Sequence, residues 1–243
     1  MHPSMHASTT PNKAAIIMAE SGKTIDFVTL EAMSNQAACG LRALGLKRGD
    51  VVATLFDNLP EVLIFGLAAQ RAGLYLTSVS NKLSPTDIAY VVEDCGARML
   101  VASDKYLPLA EQALFERSSI PLFGWSSQSI VARSWTEMVA PLSTTAIADE
   151  SPGTDMLYSS GTTGRPKGVK FPLPEGGIDH QTPLMTMGTS LYDMGSDTVY
   201  LSTSPLYHAA PLRWAMTTHR LGGTVVVMER FDAERALESR TGV

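Results

Sequence analysis

The stretch Tyr158-Ser-Ser-Gly-Thr-Thr-Gly-Arg-Pro-Lys-Gly168 decides how the rest of the chain is interpreted. Gly161 and Gly164 permit close backbone approach and positive φ, so successive N–H groups can converge on phosphate oxygens. Pro166 stiffens the turn that presents a lysine. The hydroxyl donors and the cation of this loop are Ser159, Ser160, Thr162, Thr163 and Lys167. Together these residue types predict a cradle for a polyphosphate.

Two other interpretations of this loop are weaker. A Walker-type loop has glycine and lysine at the spacing of Gly161 and Lys167, with a hydroxyl residue after the lysine to bind magnesium. Here Pro166 replaces the second glycine and donates no N–H, and Gly168 replaces the hydroxyl residue. A plain surface turn of glycine, serine and threonine would not require the Pro-Lys-Gly ending. The pattern therefore favours a phosphate loop of a different kind.

The composition excludes several classes of protein. A chain of 243 residues with 44% hydrophobic content can bury a sizeable core. Its 19 Lys and Arg against 24 Asp and Glu give a net charge of −5, which makes nucleic acid an unsuitable partner. The longest apolar run, residues 62–69, is far below the ~20 residues of a membrane span, and no signal peptide is recognisable. We expect a soluble, cytoplasmic protein, with peripheral attachment to a membrane surface left open.

Strand and helix patterns alternate along the first half of the chain. Residues 14–18 and 24–28 predict a hairpin, and apolar spacing from Leu30 to Leu44 predicts a helix. Further predicted strands cover residues 51–56, 75–79, 98–102 and 120–123, and further predicted helices cover 61–72, 84–95 and 104–116. This alternation predicts an α/β fold with a mostly parallel sheet flanked by helices on both faces. Cys39 and Cys95 lack paired metal-ligand spacing and are expected to be reduced thiols.

A polar, broken stretch over residues 126–153 predicts a boundary between two parts of the chain. Residues 1–150 are predicted to form a first α/β subdomain. Residues 151–243 are predicted to carry the phosphate loop and part of a second subdomain. The later predicted elements are strands near residues 155–158, 198–201 and 224–228 and a helix over 212–221.

The loop from Tyr158 to Gly168 resembles the signature of the adenylate-forming, or AMP-binding, superfamily of acyl-CoA synthetases, luciferases and peptide-synthetase adenylation domains. The segment Ser204-Pro-Leu-Tyr-His-Ala-Ala-Pro211 resembles the family segment beside the carboxylate pocket and thioester channel, which favours the acyl-CoA synthetases. Weaker similarity includes Asn58-Leu-Pro-Glu61 and extends from about residue 12 to about residue 235. The resemblance implies part of the large N-terminal domain of the acyl-CoA synthetase and luciferase fold, and residues 169–177 are most similar to fatty-acyl-CoA ligases.

The resemblance also implies a reaction and its participants. A carboxylic acid, most similar in class to a fatty acid, would be activated by ATP to an acyl-adenylate and then transferred to coenzyme A, with Mg²⁺ held mostly by residues outside this chain. The implied catalytic residues are Lys167 and His208, and Tyr207, His208 and Trp214 would line the acyl and thiol channel. The implied phosphate-binding residues are Ser159, Ser160, Gly161, Thr162, Thr163, Gly164 and Lys167. No metal ligand is assigned within the chain.

This sequence departs from the family pattern because several blocks are missing. It contains no Tyr-Gly-x-Thr-Glu block with the magnesium-linked glutamate, no Thr-Gly-Asp motif for the ribose and no C-terminal domain with its lysine. We therefore expect the chain to be inactive alone. Two alternatives remain open: an adenylation domain of another branch that loads a carrier protein, and a truncated, non-catalytic binding or dimerisation module. A homodimer is compatible with all three.

Overall fold

The computed structural model describes residues 1–115, 120–159 and 165–238. The helices are α1 (Pro3–Thr9), α2 (Phe27–Ala43), α3 (Pro60–Arg71), α4 (Pro85–Asp94), α5 (Leu107–Leu114), α6 (Trp135–Val139), α7 (Pro183–Leu191), α8 (Ala209–Leu221) and α9 (Ala233–Glu238). The strands are β1 (Ala14–Met18), β2 (Thr24–Asp26), β3 (Val51–Leu55), β4 (Tyr75–Ser78), β5 (Ala97–Ala102), β6 (Leu122–Gly124), β7 (Ala132–Ser134), β8 (Thr154–Ser159), β9 (Lys167–Lys170), β10 (Val199–Ser202) and β11 (Thr224–Val227). No helix in these ranges combines the length and apolarity needed to cross a bilayer.

Within the described residues, the larger sheet has the strand order β7-β6-β5-β3-β4-β8-β9. Its neighbouring strands are parallel except for β9, which runs antiparallel to β8. Successive residues of β3 point to opposite faces. Ala53 packs in one buried cluster with Ile88 of α4 and Leu107 of α5, and Val52 packs in another with Leu63 of α3. The predicted α/β fold, with a mostly parallel sheet and helices on both faces, is confirmed.

The smaller sheet joins the start of the described chain to its end. Its strand order is β10-β11-β1-β2. β1 lies parallel to β11, with Ile16 opposite Val225, and forms the predicted antiparallel hairpin with β2. Ile16 and Val225 belong to the same buried cluster as Val52 of the larger sheet. The two sheets therefore share one hydrophobic core.

Helix α3 contributes the largest part of this shared core. Its central residues, from Val62 to Ala69, are all buried, which explains why the sequence there is apolar on every side. Gly66 allows close approach of α8, because a Cβ at this position would lie 3.3 Å from the Sδ of Met216. The helix thereby packs near the elements that carry the predicted site.

The stretch predicted as a polar break contains β7 and α6. Trp135, the first residue of α6, is fully buried. Its ring packs edge-to-face against Phe65 and Phe123, with centroid separations of 5.3 and 5.6 Å. A three-residue strand and a five-residue helix are too short to produce a periodic apolar pattern, so the sequence did not reveal them. The division into two subdomains at residue 150 stays a prediction.

Helices α1, α7 and α9 also lie where no helix was predicted. In α1 and α7 a proline occupies the first helical position, and the preceding side chain, His2 or Thr182, accepts a hydrogen bond from a first-turn amide. The Thr182-Pro183 pair was therefore a usable start signal. The predicted helix over residues 104–116 begins instead with a 3-10 turn, and α5 proper ends at Leu114; Glu116 lies outside the described residues.

Candidate functional site

The two ends of the predicted phosphate loop lie on adjacent antiparallel strands. In the register of β8 and β9, Tyr158 is opposite Gly168 and Ser159 is opposite Lys167. Lys167, predicted within the loop, is the first residue of β9, and its side chain is exposed. The predicted phosphate contacts of the intervening loop fall outside the described residues. These are Ser160, Gly161, Thr162, Thr163 and Gly164.

The pairing of Tyr158 with Gly168 fixes the base of this hairpin. A Cβ at residue 168 would lie 2.9 Å from the Cζ of Tyr158 and 2.8 Å from the Cε of Met156, so only glycine lets these side chains cross the strand. The Tyr158 hydroxyl donates to the Oδ2 of Asp94 at 2.5 Å. Burial, followed by this hydrogen bond, raises the pKa of Tyr158 above its ordinary value. The phenol is therefore a neutral donor to the carboxylate.

Asp94 binds a second tyrosine at the end of α4. Tyr90 donates from its hydroxyl to the Oδ1 of Asp94 at 3.4 Å. The guanidinium of Arg165 lies 5.1 Å from the centre of the Tyr90 ring, within cation–π range. One helix end thus contacts β8 before the loop and Arg165 after it. The sequence pattern gave no indication of this contact, because Tyr90 and Asp94 are far from the loop in the chain.

A cleft of about 530 Å³ lies between α4, the ends of β4 and β8, and the start of α8. It brings Tyr158, Ser159 and Pro166 of the hairpin together with Tyr207 and His208. The other lining residues are Ser78, Val79, Ser80, Leu83, Asp87, Val91 and Ala209. The phosphate-loop motif and the Ser204–Pro211 motif, separated in sequence, therefore share one cleft. Lys167 is not among the lining residues.

His208 is the residue immediately before α8. Its backbone is extended, with φ −86° and ψ 153°, and its side chain makes no capping hydrogen bond to the helix. The imidazole is exposed and lies at a tilt beside the Tyr207 ring, with 4.5 Å between centroids. The two predicted channel residues are therefore adjacent and open to a ligand.

Trp214, the third predicted channel residue, does not face the cleft that contains Tyr207 and His208. Its ring is half-buried and packs edge-to-face on Tyr192, 5.6 Å away, just beyond α7. It lines neither the cleft nor the cavity described next. The structure therefore brings together Ser159, Tyr207 and His208 of the predicted site and leaves Trp214 apart. The functional roles of these residues stay predictions.

A second cavity, of about 450 Å³, lies along another face of α8. The apolar residues of its wall include Leu76, Phe171, Leu184, Leu212 and Met216, and polar residues such as Gln70, His180 and Arg220 also line it. Met216 of this wall was, together with Trp214, a candidate from the sequence for the edge of an acyl tunnel. The other wall residues were not assigned to a site from the sequence.

An ion pair also lines this second cavity. Arg213 of α8 contacts Asp155 of β8 through two hydrogen bonds of 2.7 Å each. Asp155 is buried, with 8% of its surface exposed. The hydrogen bonds that Arg213 donates to Asp155 raise the pKa of Arg213. The pair ties the strand that leads into the phosphate loop to the helix that follows His208.

The described residues do not fit a magnesium site. Among them, no three carboxylate, imidazole or thiol side chains come close enough together to hold a metal ion. Asp155 is already engaged by Arg213, and Asp94 accepts two tyrosine hydroxyls. No chemical step is therefore assigned to a metal bound by these residues.

The family model of the AMP-binding enzymes matches residues 4–241. With this match over nearly the whole chain, the protein belongs to the AMP-binding enzyme family. It is 29% identical over 230 residues to 4-coumarate–CoA ligase 3 of Oryza sativa subsp. japonica, and 30% identical over 241 residues to the fatty acid–[acyl-carrier-protein] ligase ScoC of Streptomyces coeruleorubidus. These matches cover 90% and 97% of this chain, but only 40% and 44% of the relatives.

Solved structures support the fold. The N-terminal domain of FACL13 from Mycobacterium tuberculosis superposes with a TM-score of 0.81 at 22% identity, over 97% of this chain and 58% of that one. The ATP-bound MatB from Rhodopseudomonas palustris gives 0.77 at 24% identity, over 100% of this chain and 48% of that one. The resemblance to the N-terminal portion of acyl-CoA synthetases is therefore confirmed.

Proposed function

We propose that this chain carries the phosphate-binding part and one wall of the carboxylate site of an acyl-CoA synthetase. The observation that carries the proposal is the shared cleft, in which Tyr158 and Ser159 of the hairpin lie with Tyr207 and His208. A reaction that joins a carboxylate to a nucleotide phosphate requires two such binding sites side by side. The CoA ligases among the relatives support the same reaction class.

In the first step a carboxylate oxygen attacks the α-phosphorus of ATP, and the bond to the pyrophosphate oxygen breaks. Negative charge then accumulates on the departing β- and γ-phosphates. We assign Lys167 and the loop residues to these oxygens, where their positive charge and hydrogen-bond donors stabilise the transition state. The acyl-adenylate remains in the cleft beside Tyr207 and His208.

In the second step the thiol sulfur of coenzyme A attacks the acyl carbonyl and gives up its proton to solvent, and AMP leaves with the bonding electrons of the acyl–oxygen bond. We assign His208 and Tyr207 to the surface along which the carboxylate and the thiol approach. The exposed imidazole, which makes no helix-capping bond, supports this assignment. Trp214, turned towards Tyr192, is assigned to packing between α7 and α8 instead.

The proposed substrate class is a fatty acid. The apolar side of the cavity along α8 supports it, since Leu212 and Met216 there offer an acyl chain an apolar surface. Long-chain-fatty-acid–CoA ligase FadD13 of Mycobacterium tuberculosis is a relative at 25% identity, but aromatic-acid ligases are relatives too. Binding of a fatty acid and of 4-coumarate, each measured by calorimetry, distinguishes the classes. Tighter binding of 4-coumarate would overturn the fatty-acid assignment.

A carrier-protein thiol is the second candidate acceptor. The observation that favours it is the 30% identity to ScoC, whose name describes transfer of a fatty acid to an acyl carrier protein. Product formation that requires a carrier protein and not free coenzyme A would select this alternative. A cytoplasmic location, peripheral attachment to membranes and a homodimer also stay predictions.

The central experiment measures ATP and pyrophosphate binding by the 243-residue chain. We expect pyrophosphate to bind, because its contacts lie on the loop, and ATP to bind weakly, because the ribose motif is missing from this sequence. Lys167→Ala should weaken pyrophosphate binding about tenfold, as expected for one lost charge-assisted hydrogen bond.

Lys170→Ala is the matched control for this experiment. Lys170 lies on the same strand, but its ammonium lies over the Tyr75 ring at 4.4 Å from the centroid. It should therefore leave pyrophosphate affinity unchanged. Equal affinities of wild type and Lys167→Ala would remove Lys167 from the proposed site.

A further inference from the structure

We propose that Asn58 is a positioning residue that holds the Tyr207–His208 turn against the larger sheet. This inference rests on the proposed function for its catalytic meaning and on geometry for its structural content. Asn58 follows β3 by three residues, at the carboxyl end of the parallel strands. Its hydrogen-bond partners are Met228, directly after β11 of the smaller sheet, and Ser204 and Leu206 in the segment that enters α8.

The side chain of Asn58 uses its full set of amide groups across this boundary. Its Oδ1 accepts from the backbone N–H of Leu206 at 2.8 Å. Its Nδ2 donates to the carbonyl oxygen of Met228 at 2.8 Å and to that of Ser204 at 3.3 Å. Two carbonyls on one side and one N–H on the other also fix the orientation of the amide.

The turn between β10 and α8 has few other anchors. Its internal backbone hydrogen bond runs from the N–H of His208 to the carbonyl of Pro205, at 3.1 Å. The side chain of Leu206 is fully buried and provides the apolar anchor. Among the hydrogen bonds of the described residues, the Ser204 carbonyl accepts from Asn58, and the Leu206 N–H donates to Asn58. The amide therefore sets where the backbone before Tyr207 and His208 lies.

The chemistry of the site explains why asparagine occupies it. Aspartate could accept from Leu206 but could not donate to the two carbonyls, and would place a negative charge against them. Serine or threonine has a single donor and a shorter reach. Loss of the Asn58 side chain should therefore loosen the turn from Ser204 to His208, which borders the proposed carboxylate site. The β8–β9 hairpin should stay in place, because the hydrogen bond between Tyr158 and Asp94 is unchanged.

The test compares Asn58→Ala with Asn81→Ala as a matched control. Asn81 also lies at the carboxyl end of the larger sheet, but it donates to the carbonyl of Phe56 at 2.9 Å and bonds to nothing on the turn. Amide hydrogen exchange of the folded chain is read at Leu206 and His208. We expect Asn58→Ala to speed exchange there by about tenfold and Asn81→Ala to leave those two amides at the wild-type rate.

The second readout separates positioning from general destabilisation. Carboxylate affinity should fall several-fold in Asn58→Ala while pyrophosphate affinity stays within about twofold of wild type, since only the turn has moved. If Asn58→Ala fails to fold, Asn58→Asp decides: it keeps the acceptor for Leu206 but loses both donors, so exchange at Leu206 and His208 should rise above the wild-type rate. Wild-type exchange in a folded Asn58 variant, or equal acceleration throughout the chain, overturns the inference.

Failure of the proposed function gives a different result. A wild-type chain that binds neither pyrophosphate nor carboxylate would remove the synthetase proposal. The exchange measurement needs no ligand and would still decide whether Asn58 holds the turn.

Discussion

Tyr158 and Asp94 are joined by a hydrogen bond of 2.5 Å between the phenol oxygen and Oδ2 of the carboxylate. Tyr158 precedes the phosphate loop on β8, and Asp94 is the last residue of α4. The bond therefore connects the loop to a helix on one face of the larger sheet. Because Tyr158 also crosses Gly168, this one side chain orders both strands at the base of the hairpin.

Tyr158→Phe should lower the free energy of unfolding by about 0.5–1.5 kcal/mol, the net value of one hydrogen bond. It should also weaken pyrophosphate binding, because the base of the hairpin loses its anchor. Tyr90→Phe removes the longer 3.4 Å bond to the same carboxylate and should have the smaller effect on both quantities. Urea unfolding and calorimetry provide the measurements. If both variants lower stability and pyrophosphate affinity equally, the short bond from Tyr158 to Asp94 contributes no more than the longer bond from Tyr90.

Trp135→Ala should destabilise the fold by about 3–5 kcal/mol, because a large buried ring leaves a cavity. Trp135→Phe should lower the free energy of unfolding by less than Trp135→Ala does. It keeps ring contacts near Phe65 and Phe123 and removes a buried indole N–H that has no partner among the described residues. Trp214→Ala, at a half-buried ring, is the comparison and should cost less than Trp135→Ala. Similar unfolding midpoints for all three variants would contradict the assignment of Trp135 to the core.

Acidification should destabilise the chain between pH 6.5 and about 4 through His219. Burial lowers its pKa from 6.5 to about 4, and its Nε2 donates to the carbonyl of Ala15 at 3.0 Å. The unfolded chain therefore binds a proton that the folded chain does not, so stability is fully present above pH 6.5 and falls as the pH drops towards 4. The slope is at most about 1.4 kcal/mol per pH unit for one proton.

His2 contributes to the same slope, because burial lowers its pKa to about 2. Denaturant unfolding between pH 7 and pH 5 measures the combined effect. His219→Gln should reduce the slope by the contribution of one histidine. A His219→Gln variant with the wild-type slope would be incompatible with a buried neutral imidazole.

Asp155→Asn should destabilise the chain by about 1–3 kcal/mol because it leaves the half-buried Arg213 guanidinium without its charged partner. A double-mutant cycle with Arg213→Met should give a coupling energy of about 0.5–3 kcal/mol. The matched pair is Arg42 with Asp149, where 69% of the aspartate side chain is exposed. Its coupling should be below about 1 kcal/mol. A larger coupling energy for Arg42 and Asp149 than for Arg213 and Asp155 would contradict the expectation that burial strengthens the ion pair.

Much of the fold could be predicted because its central elements have strong periodic patterns. The stripe from Leu30 to Leu44 and the buried run of α3 gave helices close to their observed bounds. Elements that are held in place by contacts with residues far away in the sequence could not be predicted. Helix α6 exists where Trp135 enters the core, and no local pattern records the presence of Phe65 and Phe123 on either side of it.

The sequence identified the motifs of the candidate site but not how these motifs are arranged in space. Tyr207 and His208 were found through a short motif, and the structure places them in the cleft with Ser159. The side chains that hold these motifs in place were missed, because Asn58, Asp94 and Asp155 act across more than fifty residues of chain. The sequence also did not reveal that the ring of Trp214 packs on Tyr192, and its place in the channel stays a prediction.

The pairing of Ile16 with Val225 has a consequence for how the chain acquires its structure during synthesis. β1 occupies an inner position of its sheet between β2 and β11, so residues up to Val227 must emerge from the ribosome before this strand has both neighbours. Until β11 is available, the apolar β1–β2 hairpin has one unpaired strand edge, which favours aggregation. Closure over so long a loop also makes this sheet a slow step of folding.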